Sequence, residues 1–459
     1  MTVATREETM LIFVSGADNN NKFYHVIHHD DDTVTARWGR VGQEGTVSTK
    51  GSGRHMYERC IREKERKGYK RTDIEASTTR AIPSGNGANG TDIQVAALAG
   101  LVPASITGDA RAVLDTFVRR IVAENRHAIA ATSGGLITVS DDGIVRTALG
   151  VVSLGNIQKA RAILNRLAAQ TEKGRINQND LDEYLTYIPQ KVPARRGWGG
   201  TFLTNVTTID KQRDLLDQLE SSVALAKSAA AKALADAQAA ANAAAPAIDF
   251  RYSLDVLDTK SKVFKHIEQM FQETKNLQHH RDVAGLKLKR VYVVTDSDEH
   301  MRAWKAAKDK LGNTRELWHG TLTSNLLSIL RKGLFVPPVR GTTIRIAGRM
   351  FGDGIYFSDQ STKSLRYSAG SWGGGTGSSR NNCFMLFNEV VLGNEFRPYQ
   401  QGGWAGTSSI SKAHNGKDAK GRPFNSISIK GGTCGVMNNE IIVWDVEQIR
   451  ISYICEFES

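Results

Sequence analysis

The 459-residue sequence predicts an α+β, multidomain protein: a small sheet-plus-helix module, an all-α bundle and a β-rich C-terminal domain. Three patterns predict it. Val34, Ala36 and Trp38 alternate with Thr33, Thr35 and Arg37, the period of a half-buried strand. Ile157, Ala160, Leu164 and Leu167 fall on one helical stripe. Beyond Gly341, short apolar runs follow one another between glycine-bearing turns.

In chain order, Lys22–His28 and Thr33–Arg40 read as strands joined by the Asp30-Asp31-Asp32 turn, and Met56–Lys67 as a charged amphipathic helix. PSGNGANG at 83–90 has linker composition. After the 157–167 stripe, Asp180 is placed to cap the next helix, which Pro189 and Pro193 end. Alanine fills 15 of the 24 positions from 224 to 247, so propensity favours helix over 210–245 until Pro246 stops it. From Phe250 the pattern is mixed. Phe250, Tyr252, Leu254 and Val256 alternate as a strand, and Val263, Ile267, Met270 and Phe271 mark a helix. Strand readings follow at Leu286–Val294, Leu317–Gly320, Ile355–Ser358, Phe384–Leu392, Ile427–Lys430, Glu440–Val443 and Ile449–Cys455. The boundaries are 1–80, a linker over 81–107, 108–248 and 249–459.

Composition excludes several classes. No stretch resembles a transmembrane helix, since Lys227, Lys232 and Asp236 interrupt the alanine-rich run. The N-terminal MTVATREETM is polar and acidic, unlike a secretory signal. Four cysteines without CxxC or Cys/His spacing argue against a zinc finger or disulfide scaffold and for a reducing compartment. The expected location is intracellular: the nucleus in a eukaryote, the cytoplasm or nucleoid in a prokaryote. Of the net charge of +12, residues 251–459 hold +9. Positions 50–71 carry nine basic residues against three glutamates, a patch that can engage phosphate or serve as a solvated helix face.

No Walker loop, GxSxG, HExxH or EF-hand pattern occurs, and the GxGxxG at 85–90 lies in the linker and follows no strand. His28-His29 and His279-His280 lack ligand spacing and read as surface residues. Three segments of the last domain stand apart: Trp318-His319-Gly320 at a strand end, Phe351-Gly352-Asp353-Gly354-Ile355-Tyr356-Phe357 with Lys363-Ser364 and Tyr367 after it, and Asn438-Asn439-Glu440 opening an apolar strand. Each alone reads blandly, as a satisfied histidine, core aromatics and an edge-strand glutamate.

In this order they resemble the catalytic signature of the poly(ADP-ribose) polymerase family. Asn388–Asn394 (NEVVLGN) is similar to the family's GEVALGN strand, and Trp38-Gly39-Arg40 to the tripeptide that names the WGR domain. LGNIQKARAILNRL and LTYIPQ are similar to the helical regulatory domain between the two. The resemblance implies a WGR DNA-binding domain, a helical regulatory domain and an ADP-ribosyltransferase catalytic domain. It implies an enzyme that broken DNA stimulates in the DNA damage response, using NAD as substrate and no metal. That enzyme cleaves the nicotinamide–ribose bond and builds poly(ADP-ribose) on itself and other proteins. Single-unit transfer, NAD hydrolysis and a non-catalytic DNA-end binder are the alternatives.

By the same resemblance, His319, Tyr356 and Glu440 are catalytic. Gly320 and Ser364 hold the nicotinamide carboxamide, Tyr367 and Tyr356 flank its ring, and His319 bonds the adenosine ribose. Glu440 bonds the nicotinamide ribose and favours polymer. Met350 and the loop 410–424 lie on the acceptor side. Trp38 and Arg40 contact DNA, although the alternation at 33–38 also allows a core Trp38 and a salt-bridged Arg40. Phe335 departs from the pattern where some members carry arginine, with Arg340 or Arg345 as substitutes. The segment between Gly393 and Glu440 is shorter than in the long members, and the alanine-rich helix has no counterpart.

Overall fold

In the computed structural model the described residues are 4–72, 93–139, 145–147, 150–172, 174, 176–238, 250–335, 351–370, 382–398, 413–414 and 416–459. They group into two compact units, Met1–Ala96 with Asn125–Ala247, and Ala97–Glu124 with Ile248–Ser459. No helix among the described residues is long and apolar enough to cross a membrane.

The first unit opens with strands β1 (Thr5–Ser15), β2 (Asn20–His29), β3 (Thr33–Arg40) and β4 (Thr46–Ser52), helix α1 (Arg54–Arg66) and strand β5 (Lys70–Thr72). They form an antiparallel sheet in the order β4-β3-β2-β1-β5. The expected hairpin turns at Asp32, which takes φ 71°, while Asp31 accepts the Thr33 N–H at 3.0 Å. One sheet face buries Leu11, Tyr24, Val26, Val34 and Ala36 against Tyr57, Cys60 and Ile61 of α1. This accounts for the alternation read in β3: its even positions face the helix.

Helices α2 (Ile93–Leu101) and α3 (Gly108–Thr132) follow, then strands β6 (Ile137–Val139), β7 (Val145–Thr147) and β8 (Gly150–Val151). Next come α4 (Leu154–Glu172), α5 (Gln178–Tyr187) and α6 (Val206–Gln238). The stripe Ile157, Ala160, Leu164 and Leu167 is fully buried on α4. The block read as all-helical therefore also holds a three-stranded meander, β6-β7-β8, and α2 occupies part of the stretch read as linker. Asp180 is not the cap of α5. Asn177 caps it, accepting the Asn179 N–H, and Asp180 sits in the first turn paired with Arg166 at 3.1 Å. The linker 83–90 and the end of the alanine-rich run, 239–249, lie outside the described residues.

The second unit contains β9 (Ser253–Val256), α7 (Lys262–Glu273), α8 (Arg281–Ala284), β10 (Lys287–Thr295), α9 (Asp298–Leu311) and β11 (Thr314–Gly320). It continues through α10 (Leu326–Lys332), β12 (Ile355–Phe357), α11 (Ser361–Ser368), β13 (Asn382–Val391) and β14 (Glu395–Phe396). Strands β15 (Ser426–Ile429), β16 (Glu440–Val443) and β17 (Ile449–Glu458) complete it. Two sheets result, β11-β13-β17-β10-β9 and β12-β16-β15-β14. Their inner faces meet through Leu317, Val390 and Ile449 on one side and Ile355, Phe357, Ile441 and Val443 on the other. A second core fixes α7 and α11, where Phe264, Ile267, Phe271 and Leu365 pack on Trp318, Met385, Phe387 and Phe457. The N-terminal half of α3 belongs to this unit. Phe117 stacks on Tyr292 at 4.3 Å, and Arg120 donates to the Asn382 carbonyl at 2.7 Å.

The paired histidines correct the surface reading. His28 is 1% exposed and bridges Glu7 (3.1 Å) and Asp32 (2.8 Å); hydrogen bonds to these two carboxylates raise its pKa. His280 is fully buried beside Arg366, and burial lowers its pKa. Opposite environments act on the same residue type, and neither is visible in a scattered count of histidines.

Candidate active site

The site lies where the end of β11, the start of β16, strand β12 and the first turns of α11 converge. Strand β11 is an edge of its sheet. Trp318 exchanges two backbone hydrogen bonds with Ser358, N–H to O at 2.9 Å and O from N–H at 3.0 Å. Strand period two then turns the N–H and C=O of Gly320 to the same outer edge, away from β13. A Cβ at Gly320 would meet the Ser364 carbonyl at 1.8 Å and the Tyr367 Cβ at 3.0 Å, so glycine lets α11 close against the strand.

His319 points to the opposite face of the strand. Its Nδ1–H donates to the Tyr356 carbonyl at 2.8 Å, and its ring lies 5.6 Å from that of Phe357. Burial, with Lys363's charge adding to it and the carbonyl bond opposing, brings its pKa down to about 4. A neutral ring with Nδ1 donating leaves Nε2 as an acceptor, suited to a hydroxyl group. Tyr356 is fixed at both ends. Its hydroxyl donates to the Gly352 carbonyl at 2.7 Å and accepts the Phe351 N–H at 3.0 Å, while its ring packs on the core around Phe351 and Ile442. The Ser364 hydroxyl donates to the Trp318 carbonyl at 3.1 Å, two residues before Gly320. Burial, with the Glu440 charge nearby, raises the Tyr367 pKa.

Glu440 opens β16, which lies between β12 and β15, so it is not on an edge strand. Its carboxylate meets the Lys363 ammonium at 2.5 Å, with the two side chains 13% and 7% exposed. Lys363 also stands 5.9 Å from the centre of the Tyr367 ring. This lysine appears in the sequence only as the neighbour of Ser364; its pairing with a residue 77 positions away has no local signal. His319, Gly320, Ser364, Tyr367 and Glu440 are thus brought into one cluster, which Tyr356 joins through its backbone carbonyl, with Lys363 linking α11 to β16. Two clefts of about 540 and 610 Å³ are each lined in part by Gln360 and by Asn439, the residue next to Glu440 in the chain. Met350, Arg340 and Arg345 lie outside the described residues, as do 410–412 and 415 of the acceptor-side loop. Phe335 is 37% exposed.

Trp38 and Arg40 stand on β3 of the other unit. Trp38 is half-buried, stacked on Tyr24 with centroids 6.2 Å apart, and Lys50 lies 3.9 Å over its ring. Arg40 donates to the Asn19 carbonyl (3.0 Å), the Asn19 side-chain oxygen (3.1 Å) and the Pro193 carbonyl (3.4 Å). It therefore ties the hairpin to the loop after α5. Much of the basic patch is locally offset: Arg54 and Arg62 pair with Glu58, Lys67 with Glu63 and Arg71 with Glu65.

Comparison with known proteins identifies two domains in the chain. Residues 261–459 match the model of the poly(ADP-ribose) polymerase catalytic domain, and residues 7–76 match that of the WGR domain. Poly(ADP-ribose) polymerase 1 of Gallus gallus is 27% identical over 340 residues, 68% of this chain and 31% of that one. Poly(ADP-ribose) polymerase 2 of Homo sapiens is 31% identical over 224 residues, 45% of this chain and 36% of that one. A putative poly(ADP-ribose) polymerase-like protein of Invertebrate iridescent virus 6 is 35% identical over 141 residues, 31% of this chain and 69% of that one. The fold and the comparisons define a WGR-linked protein with an ADP-ribosyltransferase-type catalytic domain. The chain belongs to the poly(ADP-ribose) polymerase family. It spans about a third of the length of the Gallus and Homo relatives.

Proposed function

We propose that the chain is an NAD-dependent ADP-ribosyltransferase, stimulated by broken DNA, that builds poly(ADP-ribose) on itself and on nearby proteins. The observation that carries this reading is the convergence of His319 and Gly320 on β11, Tyr367 on α11 and Glu440 on β16, three separate elements.

The nicotinamide carboxamide pairs with the outward N–H and C=O of Gly320, and the ring stacks on Tyr367. A rotation of Ser364 off the Trp318 carbonyl adds a third hydrogen bond. Neutral His319 accepts a ribose hydroxyl at Nε2. As the glycosidic bond lengthens, positive charge develops on the ribose carbon and ring oxygen, and the Glu440 carboxylate stabilises it. The leaving nicotinamide takes the bonding electron pair and departs neutral. The acceptor hydroxyl then bonds to the ribose carbon and gives up its proton, with Glu440 orienting it. Lys363 holds the Glu440 carboxylate in place before substrate arrives.

The basic patch and Trp38 support a nucleic-acid contact for residues 1–80, and the Arg40 bonds support transmission from that contact to the helical block. Regulation is then a shift between helical-block states that differ in access to NAD. The test is incubation of the full chain with labelled NAD, with and without nicked DNA, followed by a denaturing gel. A DNA-stimulated high-mass smear is expected. A single sharp shift reduces the activity to one-unit transfer, and tight DNA binding without label overturns the enzymatic reading.

A further inference from the structure

The residue before Glu440 has all four of its polar positions engaged, three by the consecutive residues Ser358, Asp359 and Gln360 and the fourth by Gly431. The Asn439 N–H donates to the Gln360 side-chain oxygen at 3.1 Å, and its carbonyl accepts the Ser358 hydroxyl at 2.9 Å. Its side-chain NH₂ donates to Asp359 at 2.8 Å, and its side-chain oxygen accepts the Gly431 N–H at 2.8 Å. The amide orientation is forced, because a carboxylate only accepts and a backbone N–H only donates. The second Asp359 oxygen takes Arg315 at 2.9 Å, so the carboxylate is held from both sides. That ion pair is partly exposed, with side chains 36% and 29% accessible, a setting in which ion pairs add little to stability.

We propose that Asn439 is a positioning residue for Glu440, and that Asp359, held by Arg315, aims it. Strand β16 begins at Glu440, whose register partner is Ile429, and among the described residues no ladder pairs the chain just before it. The Asn439 clamp supplies that missing restraint. It sets the Cα from which the carboxylate reaches the developing charge, while Lys363 holds the far end. This inference rests on the role given to Glu440 above.

The test uses the full chain and measures nicotinamide release, nicotinamide binding by calorimetry and thermal melting. Asn439→Asp sets a carboxylate against Asp359. The double variant Asp359→Asn with Asn439→Asp again places a donor against an acceptor and leaves the Gly431 bond intact. The single variant is expected to lose about 100-fold in kcat, the scale of an ångström's misplacement, with nicotinamide affinity and Tm held. The double variant is expected to recover at least about tenfold of that loss. Asp359→Asn alone, which conserves shape, is expected to fall between them. Unchanged kcat in Asn439→Asp, parallel loss of nicotinamide affinity or folding, or no recovery in the double variant overturns the clamp. A natural chain that releases no nicotinamide brings down the functional reading and the clamp with it. A working natural chain beside indifferent variants brings down the clamp alone.

Discussion

Gly320→Ala is the substitution whose cost can be worked most directly from the structure. The backbone at Gly320 is not in the left-handed region, so the penalty is purely one of contact. The new Cβ would stand 1.8 Å from the Ser364 carbonyl oxygen, where 3.0 Å is the practical minimum. Helix α11 must therefore retreat by 3.0 − 1.8 = 1.2 Å, or the end of β11 must. Either movement separates the Gly320 edge from Tyr367 and disturbs Lys363 and Ser364 on the same helix. Overpacking of this kind costs about 1–3 kcal/mol. For a domain of this size that lowers the melting temperature by roughly 2–12 °C, at about 2–4 °C per kcal/mol. A shift near an ångström costs about 100-fold in turnover. The assay pairs nicotinamide release at saturating NAD with calorimetric binding of nicotinamide and a thermal melt of the same preparation. A Gly320→Ala protein that binds nicotinamide and turns over NAD like the natural chain would refute the placement of the carboxamide at Gly320.

Two further outcomes are expected. Lys363→Met leaves the Glu440 carboxylate without its cation in a nearly closed site, which costs about 3–5 kcal/mol of stability. The double variant with Glu440→Gln should melt higher than Lys363→Met alone, and equal melting points would show that the pair is not coupled. The second concerns His28. Its hydrogen bonds to Glu7 and Asp32 raise its pKa on folding, so the folded chain binds the proton more tightly than the unfolded one. That stabilisation is complete below the unfolded value of about 6.5 and is lost as pH rises through the folded value. Melts across that window should decline more steeply for the natural chain than for His28→Gln. A proton NMR titration placing His28 below 6.5 would contradict the bridge.

What the sequence made legible follows from which interactions are local. The strands Phe384–Leu392 and Ile449–Cys455 were readable because most of their positions are buried, so apolar residues dominate both runs although Asn388, Glu389, Arg450 and Ser452 interrupt them. Helix α9 was not, because Trp304 is its buried residue and leaves no stripe to detect. Strand β1 is hidden in the sequence although Met10, Leu11, Ile12 and Val14 are buried, because its charged start masks the period. The glutamate that opens β16 stands out by type against an apolar strand. Its lysine partner and the Asn439 clamp come from chain segments far apart, joined only by the closing of two sheets and a helix. Asp180 and Asn177 show the same limit at short range. Both suit a helix cap, and the choice fell to the backbone, which leaves Asn177 extended and Asp180 free to pair with Arg166.

The central claim is that Glu440 serves NAD cleavage in a site assembled around Gly320 and Tyr367. The most direct test counts nicotinamide released from NAD by the full chain and by Glu440→Gln, each with nicked DNA present. The account predicts steady release by the natural chain and a loss of at least about 100-fold in the variant, with nicotinamide still bound. Equal release from both proteins, or none from the natural chain, would contradict it.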